Sequence, residues 1–294
     1  MPFAKYEIEN LANTDIPEGE IVVKKLIFPK DEYASYLFEH KFDPTFSTGE
    51  IKKVTGLINI PNVNKDYPIV FMIRGYVDKK IYKTGMGTKK ASEYFAEKGF
   101  ITLSPDYLGY GDSSVEAENI YESRFQTYTT TLSLIKSLKS IKQWNKKDLF
   151  FWAHSNGGQI ALSILTTTKN QIPTTLWAPV TKAFPYSVLY YTDESPDGGK
   201  LIRSELAKIE TTHDVNRFSF TNYLERISAP IQIHHGEADS AVPIKWSDSF
   251  VSELRSNNIN VEYYKYPNAD HNLRSVWDTA IKRDVDFFLK NIQN

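Results

Sequence analysis

The chain has 294 residues, 41% of them hydrophobic, and its 35 Lys and Arg against 36 Asp and Glu leave a formal net charge of −1. This suits one large domain carrying an insertion and excludes a global pull toward nucleic acid or an anionic membrane, so a small molecule is the expected partner. Cysteine is absent, which excludes disulfides, thiolate nucleophiles and cysteine-ligated metals.

The stretch from Met1 to Asn13 has no apolar core of the signal-peptide kind, and no run is long enough for a membrane span. As given, the chain is expected in the cytoplasm; removal of a leader or anchor would allow an extracytoplasmic place. Nothing in the sequence sets the oligomeric state. Residues 1–66 read as strands and loops, with Leu57 to Ile60 a strand closed by Pro61. Pro68 to Ile73 is a buried strand running into Arg74-Gly75-Tyr76. Lys89 to Lys98 is a helix stopped by Gly99, and Phe100 to Leu103 is the next strand. From Asn119 to Ile141, Phe125, Tyr128, Leu132, Ile135 and Leu138 recur in steps of three and four, one face of a helix.

Asp148 to Ala153 is a short, almost wholly apolar run of the kind buried on both faces of a parallel sheet. Gly157 to Thr168 is a helix and Thr175 to Ala178 a strand. Pro179 to Ile227 carries no convincing strand but is rich in aromatic residues, and we expect a cap over 181–226. Ile231 to His235 is a strand, Ile244 to Ser256 a helix, Val261 to Tyr266 a strand and Val276 to Ile292 a closing helix. Alternation of this kind predicts an α/β fold, a mostly parallel central sheet with helices on both faces. The expected organisation is an N-terminal strand and loop extension over 1–50, a core of 51–180 and 227–294, and the cap between them.

The chemistry concentrates at Phe150-Phe151-Trp152-Ala153-His154-Ser155-Asn156-Gly157-Gly158. A buried strand meets a sharp turn with serine at its apex and then a helix, with small residues two positions to either side. Such a turn strains the serine backbone, lifts its hydroxyl above the sheet edge and aims free helix N–H groups at the site. The strict pattern has Gly where this chain has Ala153. A serine nucleophile needs a base, and the base needs an orienting acid; on such a sheet the chain order is Ser, acid, His. Of the six histidines, His271 lies in the loop after the last strand, where a base belongs, whereas His234 and His235 lie within a strand and face opposite sides. Asp239, in the loop after the preceding strand, is the expected acid, ahead of Glu237; Asp270 is read as loop-bracing. Gly75 lets the backbone approach Ser155, so the N–H groups of Tyr76 and Asn156 are the expected oxyanion donors. Arg74 is a brace beneath the site or a substrate-binding group. Tyr186, Tyr190 and Tyr191, with Phe184, are candidates for a substrate wall in the cap or for glue between cap and core.

Three further stretches match a known pattern: Val54 to Pro61, Gly99 to Ser113 with its Asp106-Tyr107-Leu108-Gly109-Tyr110-Gly111-Asp112-Ser113 loop, and His235-Gly236-Glu237-Ala238-Asp239. With the serine turn, they resemble the prolyl-oligopeptidase-like serine peptidase and esterase catalytic domains of the α/β-hydrolase superfamily. Arg74 stands where that family usually has His, and Ala153 where it usually has Gly. The family's oligopeptidases carry a β-propeller, and roughly fifty residues before the hydrolase domain are too few for one. The resemblance therefore implies the catalytic machinery and says little about peptides. The expected activity is hydrolysis of a small-molecule carboxylic ester through an acyl-enzyme on Ser155, with no cofactor and no metal. A small peptidase or amidase is the alternative enzyme, and a non-catalytic binding protein the alternative class.

Overall fold

The computed structural model describes residues 2–47 and 49–293. Among the described residues, nine strands form one sheet in the order β1-β2-β3-β5-β4-β6-β7-β8-β9. β1 (Ile21–Pro29), β2 (Tyr33–Phe42) and β3 (Lys52–Pro61) run antiparallel to their neighbours, and β3 pairs antiparallel with β5 (Ile101–Pro105). From there β5, β4 (Tyr67–Ile73), β6 (Trp144–His154), β7 (Thr174–Trp177), β8 (Ile231–Gly236) and β9 (Val261–Tyr266) are mutually parallel. The mostly parallel α/β fold expected from the alternating pattern is what forms. β1 and β2 lie within the sheet, so the first fifty residues extend the core.

The apolar runs of the central strands are buried on both faces because their side chains alternate. Phe71, Ile73, Phe151 and Ala153 join a core under α3 (Ile120–Ser137) and α4 (Asn156–Thr168), with α1 (Ile8–Asn13) at its edge. Val70, Met72, Phe150 and Trp152 join a second core under α2 (Lys89–Glu97) and α8 (Trp277–Lys290). The Asn119 side chain caps α3 by accepting from the Tyr121 and Glu122 amides at 2.9 and 3.2 Å.

Residues 181–226 hold two helices, α5 (Tyr186–Leu189) and α6 (Lys200–Glu210), with 3₁₀ turns and, among the described residues, no strand. Leu206, Ile209, Phe218, Phe220 and Leu224 are buried in the α3–α4 core, and Phe184 is buried against Tyr121, Phe125 and Phe218. Ion pairs Arg217–Glu7 and Arg226–Glu9 tie the segment to the N-terminus. Most of it thus thickens the helical layer beside the sheet. α7 (Ile244–Ser256) completes the chain between β8 and β9.

Candidate active site

Ser155 sits between β6 and α4 with φ 56° and ψ −123°, a left-handed backbone that costs a non-glycine residue about 1–3 kcal/mol. The turn is held on three sides: the Ser155 amide donates to Trp177 O at 2.9 Å, and the Ser155 carbonyl accepts from Gly158 and Val180 at 2.9 and 3.0 Å. Small neighbours are needed for a definite reason. A Cβ on Gly157 would fall 2.2 Å from Ile73 O and 2.7 Å from Arg74 O, at the end of β4. A Cβ on Gly75 would fall 2.9 Å from the Ser155 Cβ. The 74–76 backbone is therefore pressed against the serine, with Tyr76 next along it and its ring exposed. Asn156 opens α4, so its N–H has no intrahelical acceptor.

The Asp239 side chain is buried below β8, with both oxygens engaged. Oδ1 accepts from the Ala241 and Val242 amides at 2.8 and 2.9 Å, while Oδ2 accepts from His271 Nδ1 at 2.7 Å and lies 3.1 Å from His235 Nε2. Burial pushes this carboxyl up, but the hydrogen bonds from His235, His271 and the Val242 amide outweigh it and hold it well below the usual carboxylate range. His271 is fixed from the other side by His154. Their ring centroids are 4.7 Å apart, and His154 Nε2 donates to His271 O at 3.0 Å. Burial first, then the neighbouring His271, pushes His154 down to about 4, so it stays a neutral ring at neutral pH. Among the described residues no hydrogen bond joins the Ser155 hydroxyl to His271, a contact that commonly tightens only when substrate arrives.

The structure thus brings together Ser155, Asn156, Gly75 and Tyr76 in one wall, and Asp239 and His271 in a closed pair. Arg74 is buried: it donates to Gly75 O and Asp106 O at 3.0 and 2.9 Å, and its guanidinium lies 4.0 Å from the Tyr110 ring centre and 4.7 Å from that of Tyr82. Those contacts are a brace under the 74–76 turn. Asp270 accepts from the Arg274 amide at 2.9 Å, and Glu237 is exposed. Tyr186, Tyr190 and Tyr191 gather around Trp246 of α7, with ring centroids at 6.0, 4.7 and 6.3 Å, and Tyr191 Oη donates to Ala241 O at 3.1 Å. They border the Asp239 loop, whereas Phe184 belongs to the core. Among the described residues no group of three or more His, Asp and Glu is arranged to hold a metal, and no helix is long and apolar enough to cross a membrane.

Two site neighbours were not foreseen. His235 is a second histidine on Asp239; its Nδ1 is 2.7 Å from Ser247 Oγ on α7. His234 points the opposite way, to Tyr266 Oη at 2.8 Å and Asp284 at 3.0 Å, as strand alternation requires. The signal for His235 was its place before Gly236, which turns the chain back toward Asp239. The signal for His154 was the same alternation: it follows Ala153 and so faces the α2–α8 side.

Several known proteins are similar to this chain. Among solved structures, acetyl xylan esterase 1 from Thermoanaerobacterium sp. JW/SL YS485 superposes with a TM-score of 0.67 at 14% identity, covering 98% of this chain and 93% of that one. An S-formylglutathione hydrolase from Agrobacterium tumefaciens gives 0.62 at 14%, covering 92% and 99%. At these identities the likeness is one of fold. In sequence, a probable dipeptidyl-aminopeptidase B of Paracoccidioides brasiliensis is 25% identical over 232 residues, 72% of this chain. Dipeptidyl peptidase family member 6 of Caenorhabditis elegans is 23% identical over 234 residues, 73% of this chain. The matched spans are 23% and 31% of those two proteins, so the chain corresponds to a quarter to a third of their length. The prolyl oligopeptidase family matches residues 87–294, which take in the Ser155 turn, the Asp239 loop and the His271 loop. The chain belongs to the prolyl oligopeptidase family.

Proposed function

We propose that the chain is a serine hydrolase that cleaves a carboxylic ester through an acyl-enzyme on Ser155. The observation that carries this reading is the strained Ser155 at the head of α4, on the sheet end where a buried Asp239 grips His271 at 2.7 Å. His271 Nε2 takes the proton from Ser155 Oγ as it attacks the ester carbonyl. Asp239 accepts the Nδ1–H, fixing the tautomer and stabilising the imidazolium that forms. The N–H groups of Asn156 and Tyr76 receive the oxyanion. Collapse expels the alcohol, which leaves with the proton from His271. Water, activated by the same imidazole, then releases the acid. In this reading 181–226 acts as a cap only through Tyr186, Tyr190 and Tyr191 beside the Asp239 loop, the rest being structural.

Two enzymatic activities compete. The acetyl xylan esterase shares the fold over almost the whole chain, so the fold is compatible with an ester substrate; the dipeptidyl relatives support an amide-cleaving alternative. An ester has the better leaving group and asks less of the acid step. Matched p-nitrophenyl ester and p-nitroanilide substrates decide between them: ester turnover well above anilide turnover is expected, and the reverse order makes the enzyme a peptidase. A serine-directed phosphonate should label wild type and not Ser155→Ala; turnover retained by Ser155→Ala would remove the serine from the mechanism.

A further inference from the structure

A cavity of about 540 Å³ opens against Gly75, Tyr76 and Asn156, and α3 supplies its far wall through Ser123, Arg124 and Thr127. The charges that line it are unequally matched. Lys79 is paired with Glu116, the Asp78 carboxylate accepts from the Lys80 amide at 2.8 Å, and the Lys80 side chain is exposed and left to water. Arg74 is spent on carbonyls and tyrosine rings. Arg124, half-buried, has no carboxylate among the described residues. Its Nη2 donates to two neutral amide oxygens, Asn156 Oδ1 at 3.2 Å and Gln159 Oε1 at 2.6 Å. Its Nε is enclosed without a partner, while Nη1 has no acceptor among the described residues and is not among the enclosed atoms.

A guanidinium drawn partly out of water and bonded only to neutral acceptors recovers part of its lost hydration, and an anion would supply the rest. The arrangement is also rigid. Gln159 donates onward to Ser187 Oγ at 2.9 Å, so α3, α4 and α5 hold the fork in place. Of the guanidinium's donors only Nη1 is left to meet a carboxylate, as a charge-assisted hydrogen bond beside the two that hold the group in place. The residue it touches, Asn156, is the one whose N–H is proposed to receive the oxyanion, so the free donor and the reacting carbonyl share one pocket.

We infer that Arg124 is the specificity-determining residue of this pocket, and that the substrate is an ester bearing a carboxylate close to its reacting carbonyl. The inference rests on the proposed hydrolase reading of Ser155. The carboxylate sits either on the acyl group, as in a hemiester of a dicarboxylic acid, or on the leaving alcohol.

Two substrate pairs test it. Mono-p-nitrophenyl glutarate is compared with its methyl-capped diester, and 4-acetoxybenzoate with its methyl ester. In wild type, kcat/KM should favour the anionic member of one pair by ten-fold or more, and the preference should shrink as salt is raised. The pair that shows it identifies the side that carries the charge. Arg124→Gln should lower the anionic-to-neutral ratio of that pair roughly 10- to 100-fold, the range expected for a charged hydrogen-bonded contact. Arg124→Lys, which keeps the charge without the fork, should fall between, and it carries the test if the Gln variant fails to fold. A wild-type preference for the neutral member of both pairs overturns the inference. So does a ratio that Arg124→Gln leaves unmoved, which would mean that Arg124 only orients Asn156. Ser155→Ala run beside these separates the two readings: turnover lost in that variant with the ratio unmoved by Arg124→Gln sinks the anion site alone, whereas turnover retained sinks the nucleophile assignment and, with it, the inference built on it.

Discussion

Asp239 makes four contacts with four different donors, and that is where the candidate site is most exposed to single changes. Asp239→Asn should lower kcat by up to ~10⁴, because an amide facing His271 can stabilise the wrong tautomer. Asp270→Asn should do far less, since that carboxylate braces Arg274 and touches no histidine in the loop. Steady-state kinetics on one activated ester checks both, and a larger loss at Asp270 would overturn the assignment of the acid. His235→Gln keeps the strand intact while weakening one contact to Oδ2, so a smaller loss, roughly ten-fold, is expected with the melting temperature measured alongside. At this scale the sequence was legible wherever a residue sat in a loop after a strand. The strained turn at Ser155 and the Asp239–His271 contact could be expected because strand ends declare themselves by apolar runs closing in Gly or polar residues. His154 and His235 could not, since each belongs to a strand by pattern and reaches the site only through the pleat and the turn beyond it. Arg124 was hidden for a different reason: it lies within a helix read only for its apolar face.

The junction of β6 with α4 carries the tightest geometry among the elements. Gly157→Ala places a Cβ against the carbonyls of Ile73 and Arg74, both backbone and so unable to swing aside. The expected result is a loss of roughly 1–3 kcal/mol in urea unfolding, with activity falling further because the 74–76 turn must retreat from Ser155. Unchanged stability would mean that β4 and α4 can separate at no cost. The tyrosines of α5 and its C-terminal turn pose the opposite case. Tyr186 and Tyr190 are 50% and 45% exposed, and Tyr191 packs against the small Val180, Val242 and Trp246 cluster, so little of the main core depends on them. Replacing Tyr190 and Tyr191 by Ala should shift substrate preference more than the melting temperature; a large drop in melting temperature with unchanged preference would make them structural. Helix α7 and strand β9 follow the predicted limits, Ile244–Ser256 and Val261–Tyr266, because their patterns are clean and their ends punctuated. Helix α1 and the separate identities of β1 and β2 were not legible. β1 is an edge strand exposed along nearly its whole length, so no buried face imprints an alternating pattern on it.

Across the whole molecule, one sheet divides two cores, and His154 sits on the α2–α8 side of that division as a half-buried ring held neutral. That placement links the site to global stability through protons. An unfolded histidine titrates near 6.5, whereas burial lowers His154 to about 4 in the folded chain. Between those values the unfolded state binds a proton that the folded state refuses, so stability is full above about 6.5 and is lost as pH falls toward 4. The gap corresponds to about 3 kcal/mol. His40, also lowered by burial, acts in the same direction. Asp106 and Asp284, whose carboxyls burial pushes up, act in the opposite one, holding protons that the unfolded chain releases. Asp239 enters only below the unfolded carboxylate range, because its folded value lies lower still. The His154 share is therefore read as a difference. Urea unfolding of wild type and His154→Gln from pH 7.5 down to 4.5 should show the wild type losing more stability over that window, by roughly 1–3 kcal/mol. Parallel curves would mean that the ring is protonated in the folded state, and that its hydrogen bond to the His271 carbonyl does not depend on a neutral imidazole.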